Sequence, residues 1–282
     1  MKKKYFSSDK VKISYDLSFR NKKRPLLVFL HGLGGNSTEW KYTLEEAKKR
    51  NFSTLLIDLR GHGFSDIPEE ANKYTLECYA KDLRGILEKE KIKNYAIVGH
   101  SFGGVIAIIY CTIYKDLQPK GLVLIETTYK YPYKKNRELN VNPIFCWVLR
   151  HLVYYGIITN KVFSEKRRTF DANQVLTENI IFKIYDEIYH TAFKVIFDSL
   201  DATKKFSDER NKEVETALKS YKGPILIIGG KTDNTIPLQK VRDMRKLIPN
   251  SKLEIFDGGH LLPLEDPKNF NLKLFNFLMT II

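Results

Sequence analysis

Short apolar runs recur along the chain, each bounded by glycine, proline or asparagine, and most are followed by a longer segment of helical periodicity. Residues 11–17 alternate between apolar and polar side chains, which predicts an antiparallel strand at the edge of a sheet. Further runs are continuously apolar, as strands covered on both faces should be. They are residues 26–30, 54–57, 95–98, 122–125, 225–228 and 253–256. This pattern predicts an α/β fold with a mainly parallel, doubly wound sheet.

The segments between these strands predict helices with recognisable starts. The predicted helices cover about residues 38–50, 75–91, 101–115, 238–247 and 268–281. Thr75 is a suitable N-cap residue, and Pro267 suits the first turn of the last helix. Helices between parallel strands are the usual crossover connections of such a sheet.

The regular alternation stops after Glu126 and resumes at Gly223. Residues 127–222 look mostly helical, and we interpret them as a helical cap, or lid, inserted into a core domain formed by residues 1–126 and 223–282. Within the insertion, residues 144–158 are apolar on nearly every side. The favoured interpretation is a cap helix buried against the main domain. The alternative is an apolar lid that lines an acyl tunnel or contacts a membrane surface.

Composition and charge narrow the class of protein. The chain has 282 residues, 43% of them hydrophobic, which is enough for a sizeable core. Its net charge of +14 is spread along the chain, and the short basic clusters lack the interleaved aromatic residues of a nucleic-acid site. Three cysteines without C-x-x-C spacing indicate a reducing compartment. With neither a signal-peptide pattern nor an apolar run of spanning length, we expect a cytoplasmic protein without nucleic-acid partners.

The first chemical motif is Gly99-His100-Ser101-Phe102-Gly103, a G-x-S-x-G sequence between a predicted strand and a predicted helix. In this setting the serine lies on a tight, strained turn that exposes its hydroxyl, and the glycines allow close backbone approach. Ser101 is therefore the predicted nucleophile.

A serine hydroxyl needs a base to take its proton, and the base needs a carboxylate to orient it. His260 follows the last predicted strand, at the sheet edge where sites of such proteins form. Asp233 follows the preceding strand and is the predicted acid, with Asp257 and Asp266 kept as alternatives. The other histidines lie in glycine-rich loops, beside the serine or in the cap: His31, His62, His100, His151 and His190.

A fourth motif, His31-Gly32-Leu33-Gly34-Gly35, follows the strand at residues 26–30. A tetrahedral intermediate needs two preorganised donors at its oxyanion, one after the nucleophile and one from such a loop. The predicted donors are the backbone amides of Leu33 and Phe102.

Together these motifs, in the order serine, aspartate, histidine, resemble the α/β-hydrolase superfamily over essentially the whole chain. The resemblance is to the branch with a serine nucleophile and a helical cap, which includes carboxylesterases and monoacylglycerol lipases. Residues 58–65, with the sequence DLRGHGFS, look like the D-x-R-G-x-G-x-S loop of that superfamily, and we expect Asp58 and Arg60 to brace loops near the site. Relatives that open epoxides or displace halide carry an aspartate nucleophile, so Ser101 argues against those reactions.

The resemblance implies hydrolysis of small-molecule carboxylic esters through an acyl-enzyme, with medium-chain or monoacylglycerol-like esters as candidate substrates. It implies no metal and no organic cofactor. Alternatives on the same fold are a thioesterase, a carbon–carbon bond hydrolase and a receptor that binds a ligand without turning it over.

Overall fold

The computed structural model describes residues 2–133, 143–155 and 191–281. Within these ranges, eight strands form one sheet in the order β1-β2-β4-β3-β5-β6-β7-β8. The strands are β1 Lys3–Phe6, β2 Lys12–Ser18, β3 Leu26–Leu30, β4 Thr54–Asp58, β5 Tyr95–His100, β6 Leu122–Ile125, β7 Ile225–Gly230 and β8 Lys252–Phe256.

The sheet is parallel from β4 through β8, while β1 and β2 are antiparallel to their neighbours. Every residue of β3, β5, β6 and β7 is buried. Apolar side chains that alternate along these strands enter two separate core clusters, one on each face of the sheet. Such double coverage explains the continuous apolar runs, because both faces of each strand exclude water. The predicted α/β class with a mainly parallel sheet is therefore confirmed.

The two ends of the sheet differ from the sequence prediction. The strand predicted at the edge, now β2, lies inside β1, which the basic sequence of residues 3–6 did not predict. At the other end, β7 is the one described strand that pairs with β8, and β8 is mostly accessible, with Ile255 37% exposed. The expectation that this strand is covered on both faces is wrong, because the outermost strand lies beyond most of the helical cover.

The helices follow the predicted connections: the helix predicted at 238–247 has those bounds, and the others are shorter than predicted. They are α1 Lys41–Lys49, α2 Leu76–Lys89, α3 Phe102–Ile113, α4 Pro143–Tyr154, α5 Phe193–Ser220, α6 Leu238–Leu247, α7 Leu262–Glu265 and α8 Pro267–Leu278. Thr75 caps α2 by accepting a hydrogen bond from the Cys78 amide, and Pro267 begins α8. The segment predicted as one helix from residue 38 begins as a 3₁₀ turn, Ser37–Trp40, before α1.

Residues 127–133, 143–155 and 191–222 of the predicted insertion are described and include two helices, whereas residues 134–142 and 156–190 lie outside the described part of the chain. Helix α5 packs against α2 and α3, next to the carboxyl end of β5. Helix α4 buries Cys146 and Leu149 against Phe197 of α5. The sequence predicted that this helix is buried against the main domain. For the described residues this prediction is wrong, because the buried face of α4 contacts α5, which itself belongs to the predicted insertion. The opposite face is exposed, with Ile144, Phe145, Trp147, Val148 and Tyr154. Among the described residues no helix is long and apolar enough to cross a membrane.

Candidate active site

Ser101 lies on a sharp turn between β5 and α3, at the carboxyl edge of the sheet. Its backbone has φ 48° and ψ −115°, a strained conformation for a residue other than glycine. A Cβ on Gly99 would lie 2.6 Å from the Gly103 carbonyl oxygen, and one on Gly103 would lie 2.2 Å from the Leu30 carbonyl oxygen. Only glycine therefore fits at the two flanking positions, as predicted from the motif.

The structure brings Ser101, His260 and Asp233 into one hydrogen-bonded chain. His260 Nε2 lies 2.9 Å from Ser101 Oγ, and His260 Nδ1 lies 2.8 Å from Asp233 Oδ2. Asp233 has a fully buried side chain, whereas 17% of the His260 side chain is exposed. This arrangement lets the imidazole accept the serine proton at one nitrogen while the carboxylate holds the other.

The two alternative acids lie elsewhere. The Asp257 side chain is 85% exposed and pairs with Lys231 at 2.6 Å. Asp266 caps α8 by accepting a hydrogen bond from the Asn269 amide. Of the three candidate acids, Asp233 is the one in contact with the histidine.

The loop that carries His260 is held by Glu265, a residue that the sequence did not single out. Glu265 Oε2 accepts a hydrogen bond from the Gly259 amide at 2.6 Å, and Oε1 accepts one from the Leu261 amide at 3.2 Å. The residues on both sides of His260 are thus bonded to one carboxylate, which restricts the backbone of the base.

The glycine-rich loop after β3 is fixed by side chains on both sides of Leu33. The Gly32 amide donates to Glu39 Oε2 at 3.1 Å, and the Gly34 amide donates to His62 Nε2 at 3.1 Å. Leu33 lies between them and lines the same pocket as Ser101 and Phe102. Phe102 is the first residue of α3, where backbone amides point out of the helix end and the helix dipole favours negative charge. The geometry suits the predicted oxyanion donors, whose role stays a prediction.

The motif at residues 58–65 braces these loops, as expected. Asp58 is buried and accepts hydrogen bonds from the Ser37 and Phe64 amides at 2.9 and 3.1 Å. Arg60 is 1% exposed and binds the Asp82 carboxylate through two nitrogens, each at 2.8 Å. Asp58 thus holds the segment after the glycine-rich loop, whereas Arg60 anchors its own loop to helix α2.

A buried charged cluster lies behind the nucleophile. His100 contacts Glu39 through Nδ1 at 3.0 Å and Glu126 through Nε2 at 3.3 Å. Burial opposes the charged form of His100, but the charge of Glu39 and the hydrogen bonds to both carboxylates hold its pKa well above the usual value. In turn His100 outweighs burial at Glu39 and lowers the pKa of that carboxyl, whereas burial dominates at Glu126 and raises its pKa. Glu126 directly follows the buried strand β6, which is the one sequence signal that could have drawn attention to it.

Within the described ranges, one group of side chains could hold a metal ion. It consists of His100, Glu126 and His260, whose possible ligand atoms lie within 4.8 Å of one another. His260 Nε2 faces Ser101, and His100 Nε2 lies 2.8 Å from the His260 carbonyl oxygen. Since the nitrogens already have hydrogen-bond partners, the donor set fits proton transfer and loop bracing better than it fits metal binding.

An apolar pocket opens beside Ser101, between α3, α5 and the segment that follows β6. Leucine, isoleucine, valine and phenylalanine side chains form much of its wall. The pocket is lined by Leu33, Leu76, Ser101, Phe102, Val105, Ile109, Thr127, Thr128, Tyr129, Lys130, Tyr131, Pro132, Tyr133, Leu200, Thr203, Phe206, Ser207 and Ile236. Along α3 it reaches from the serine to Ile109, about 12 Å at the rise of an α-helix.

Comparison with known proteins places this geometry in context. A family model described as the alpha/beta hydrolase fold matches residues 25–267. The chain is 26% identical over 263 residues to Protein ABHD8 of Homo sapiens, covering 90% of this chain and 55% of that protein. It thus spans about half the length of that relative. It is 23% identical over 262 residues to the AB hydrolase superfamily protein YisY of Bacillus subtilis, covering 90% of this chain and 91% of that protein.

Among solved structures, the chain resembles the esterase EaEST from Exiguobacterium antarcticum. The TM-score is 0.75, with 20% sequence identity, and the match covers 99% of this chain and 100% of that chain. At this identity the likeness shows a shared arrangement of strands and helices, and the chemistry has to be argued from the residues of this chain.

Proposed function

The chain belongs to the alpha/beta hydrolase fold family, as the sequence resemblance predicted, and from that premise we propose that it is a serine hydrolase that cleaves carboxylic esters. The observation that carries the proposal is the continuous chain of hydrogen bonds from Ser101 through His260 to Asp233. A ligand-binding receptor needs no such chain, whereas a hydroxyl nucleophile does.

In the proposed reaction, Ser101 Oγ attacks the acyl carbonyl carbon while His260 Nε2 accepts the hydroxyl proton. Asp233 keeps the proton of His260 on Nδ1 and stabilises the imidazolium that forms. The amides of Leu33 and Phe102 donate to the oxyanion of the tetrahedral intermediate. His260 then returns the proton to the leaving alcohol. A water molecule, activated by the same histidine, attacks the acyl-enzyme and releases the acid.

The substrate class follows from the pocket. Its apolar wall along α3 and α5 suits the hydrocarbon part of an acyl group, since burying each methylene contributes about 0.8 kcal/mol. We propose medium-chain or monoacylglycerol-like esters, because the pocket extends from Ser101 as far as Ile109. Contact of the cap with a membrane surface and a cytoplasmic location remain predictions.

The test is hydrolysis of p-nitrophenyl esters from acetate to palmitate by the wild type and by Ser101→Ala. We expect the substitution to lower kcat by roughly 10⁶-fold, the scale measured for a serine protease nucleophile. A fluorophosphonate probe should label the wild type and leave the variant unlabelled, which identifies the nucleophile independently of the ester used.

Ser220→Ala is the matched control, because Ser220 is exposed at the end of α5 and bonds only to its own helix among the described contacts. It should retain full turnover. Ester hydrolysis by Ser101→Ala at the wild-type rate would refute the proposed nucleophile. If the wild type is labelled but leaves every ester intact, thioesters and carbon–carbon diketone substrates are the next series. A wild type that is neither labelled nor active on any of them would favour the receptor alternative.

A further inference from the structure

His100 has a buried imidazole whose two nitrogens both face acceptors. Nδ1 lies 3.0 Å from Glu39 Oε1, and neither atom has a hydrogen bond to another group among the residues that the structure describes. Nε2 lies 2.8 Å from the backbone carbonyl oxygen of His260. A neutral imidazole carries one donor, whereas an imidazolium donates at both nitrogens, so the surroundings match the doubly protonated ring.

Glu39 extends this contact to the glycine-rich loop. Its second oxygen accepts the Gly32 amide at 3.1 Å, and Gly32 directly precedes Leu33. A Cβ on Gly32 would lie 3.0 Å from His100 Nδ1 and 3.5 Å from the Ser101 Cβ, so the loop packs on the elbow itself.

Glu126 extends the contact in the other direction. Its Oε2 lies 3.3 Å from His100 Nε2 and accepts a hydrogen bond from the Leu262 amide at 3.3 Å. Glu126 has a positive φ of 47°, an uncommon conformation that turns the chain sharply after β6. The bond from the Leu262 amide to Glu126 and the bond from His100 to the His260 carbonyl tie the loop of the base to the elbow at two points.

We propose that His100 is a positioning residue. Held between Glu39 and Glu126, it fixes two loops against the nucleophile elbow. One loop carries the base His260, and the other carries the oxyanion donor Leu33. This inference rests on the proposed hydrolytic function. His100 does not touch the reacting atoms: it acts on the base through the His260 backbone, and on the oxyanion site through Glu39 and Gly32.

Two amide substitutions separate the two contacts. In His100→Gln the side-chain amide nitrogen occupies the place of Nε2, so it can still donate to the His260 carbonyl. In His100→Asn the amide nitrogen occupies the place of Nδ1, so it can reach Glu39 and loses the base loop. Both variants remove the same charge, so a difference between them reports the lost contact.

We expect His100→Asn to lower kcat by about 10²-fold, the cost of misplacing a catalytic group by about 1 Å. His100→Gln should lose about tenfold or less, and KM for the ester should change by less than about twofold in both, because the pocket wall is untouched. Equal kcat losses in the two variants, or a loss confined to KM, would overturn the inference. A purely structural role predicts equal losses, together with equal falls in thermal stability.

Hydrogen–deuterium exchange gives a second readout that needs no substrate. Backbone amides in residues 257–262 should exchange faster in His100→Asn than in His100→Gln, and equal exchange would overturn the inference even if the wild type proved inactive on esters. If both His100 variants fail to fold, Glu39→Gln and Glu39→Leu decide the question at the other end of the cluster. The glutamine can still accept the Gly32 amide, so faster exchange around residue 32 should appear in Glu39→Leu alone, and equal exchange contradicts the proposal.

Discussion

Asp233 is fixed before the reaction begins, because its carboxylate has a partner on each oxygen. Oδ1 accepts hydrogen bonds from the Thr235 and Ile236 amides at 2.7 and 2.8 Å, which leaves Oδ2 facing His260 Nδ1. The side chain is fully buried, so water does not compete for the carboxylate. Orientation of the imidazole therefore depends on the identity of this one residue.

Asp233→Asn should lower kcat by about 10⁴-fold, the scale seen when a triad aspartate becomes an amide and the histidine is held in the wrong tautomer. Steady-state hydrolysis of the best p-nitrophenyl ester measures the loss. Asp257→Asn is the control, because Asp257 is exposed and lies only three residues before the base. It should retain wild-type turnover, and a comparable loss in the two variants would contradict the assignment of the acid.

Residues whose chemistry depends on strand ends were predictable from the sequence. Ser101, Asp233 and His260 each follow a strand that the apolar pattern revealed, and parallel strands bring their carboxyl ends to one edge of the sheet. Glu39 and Glu265 were not predictable, because each lies in a helical segment where an acidic residue is usually solvated. Their contacts depend on how distant loops fold back, which periodicity does not record.

At the scale of the elements, the glycines of the elbow show why the strand, turn and helix form one unit. Helix α3 approaches β3 so closely that a methyl group on Gly103 would overlap the Leu30 backbone carbonyl. The Leu30 carbonyl cannot move away from such a methyl group without disturbing the pairing between β3 and β5. Gly85, in α2, is crowded differently, because its nearest neighbour is the hydroxyl at the end of the Tyr5 side chain.

Gly103→Ala should therefore destabilise the protein by about 3 kcal/mol or more, at the upper end of the usual cost of overpacking. Gly85→Ala should change stability by less than about 1 kcal/mol, because the gain in helix propensity offsets the displacement of Tyr5. Urea unfolding followed by circular dichroism measures both. A similar loss of stability in the two variants would mean that the backbone overlap at Gly103 is relieved by an easy shift.

The sequence located the interior strands and also β2 and β8, but it missed β1 and did not reveal that β8 is at the end of the sheet. The interior strands gave unmistakable apolar runs, whereas β1 has the sequence KKYF and mostly exposed side chains. Strand β8 reads as apolar but lies at the end of the sheet. Position within a sheet is a property of the assembled fold, so a local pattern cannot distinguish an edge strand of this kind from an interior one.

At the scale of the whole molecule, the first residues are joined to the core through a buried arginine. Arg60 binds Asp82 of α2 and also Asp9, in the turn between β1 and β2, at 2.9 Å. Lys73 lies 3.7 Å from the same Asp9 carboxylate. Although partial burial opposes ionisation, hydrogen bonds from Arg60 and Ser7 and the charges of Arg60 and Lys73 lower the pKa of Asp9 to about 2.

Because the pKa of Asp9 is lower in the folded protein than in the unfolded chain, its contribution to stability is present above pH 4 and is lost as the pH falls towards about 2. Asp9→Asn should lower the free energy of unfolding by about 2 kcal/mol at pH 6, the usual cost of losing a hydrogen bond to a charged group. The difference from the wild type should shrink as the pH is lowered to 2.5, because Asp9 of the unfolded chain takes up a proton near pH 4 whereas the folded carboxylate holds its charge until about pH 2. Urea unfolding at several pH values measures this convergence, with the exposed Asp257→Asn variant expected to stay within about 0.5 kcal/mol of the wild type throughout. A constant difference between pH 6 and 2.5 would show that Asp9 stabilises the fold through its shape rather than through its charge.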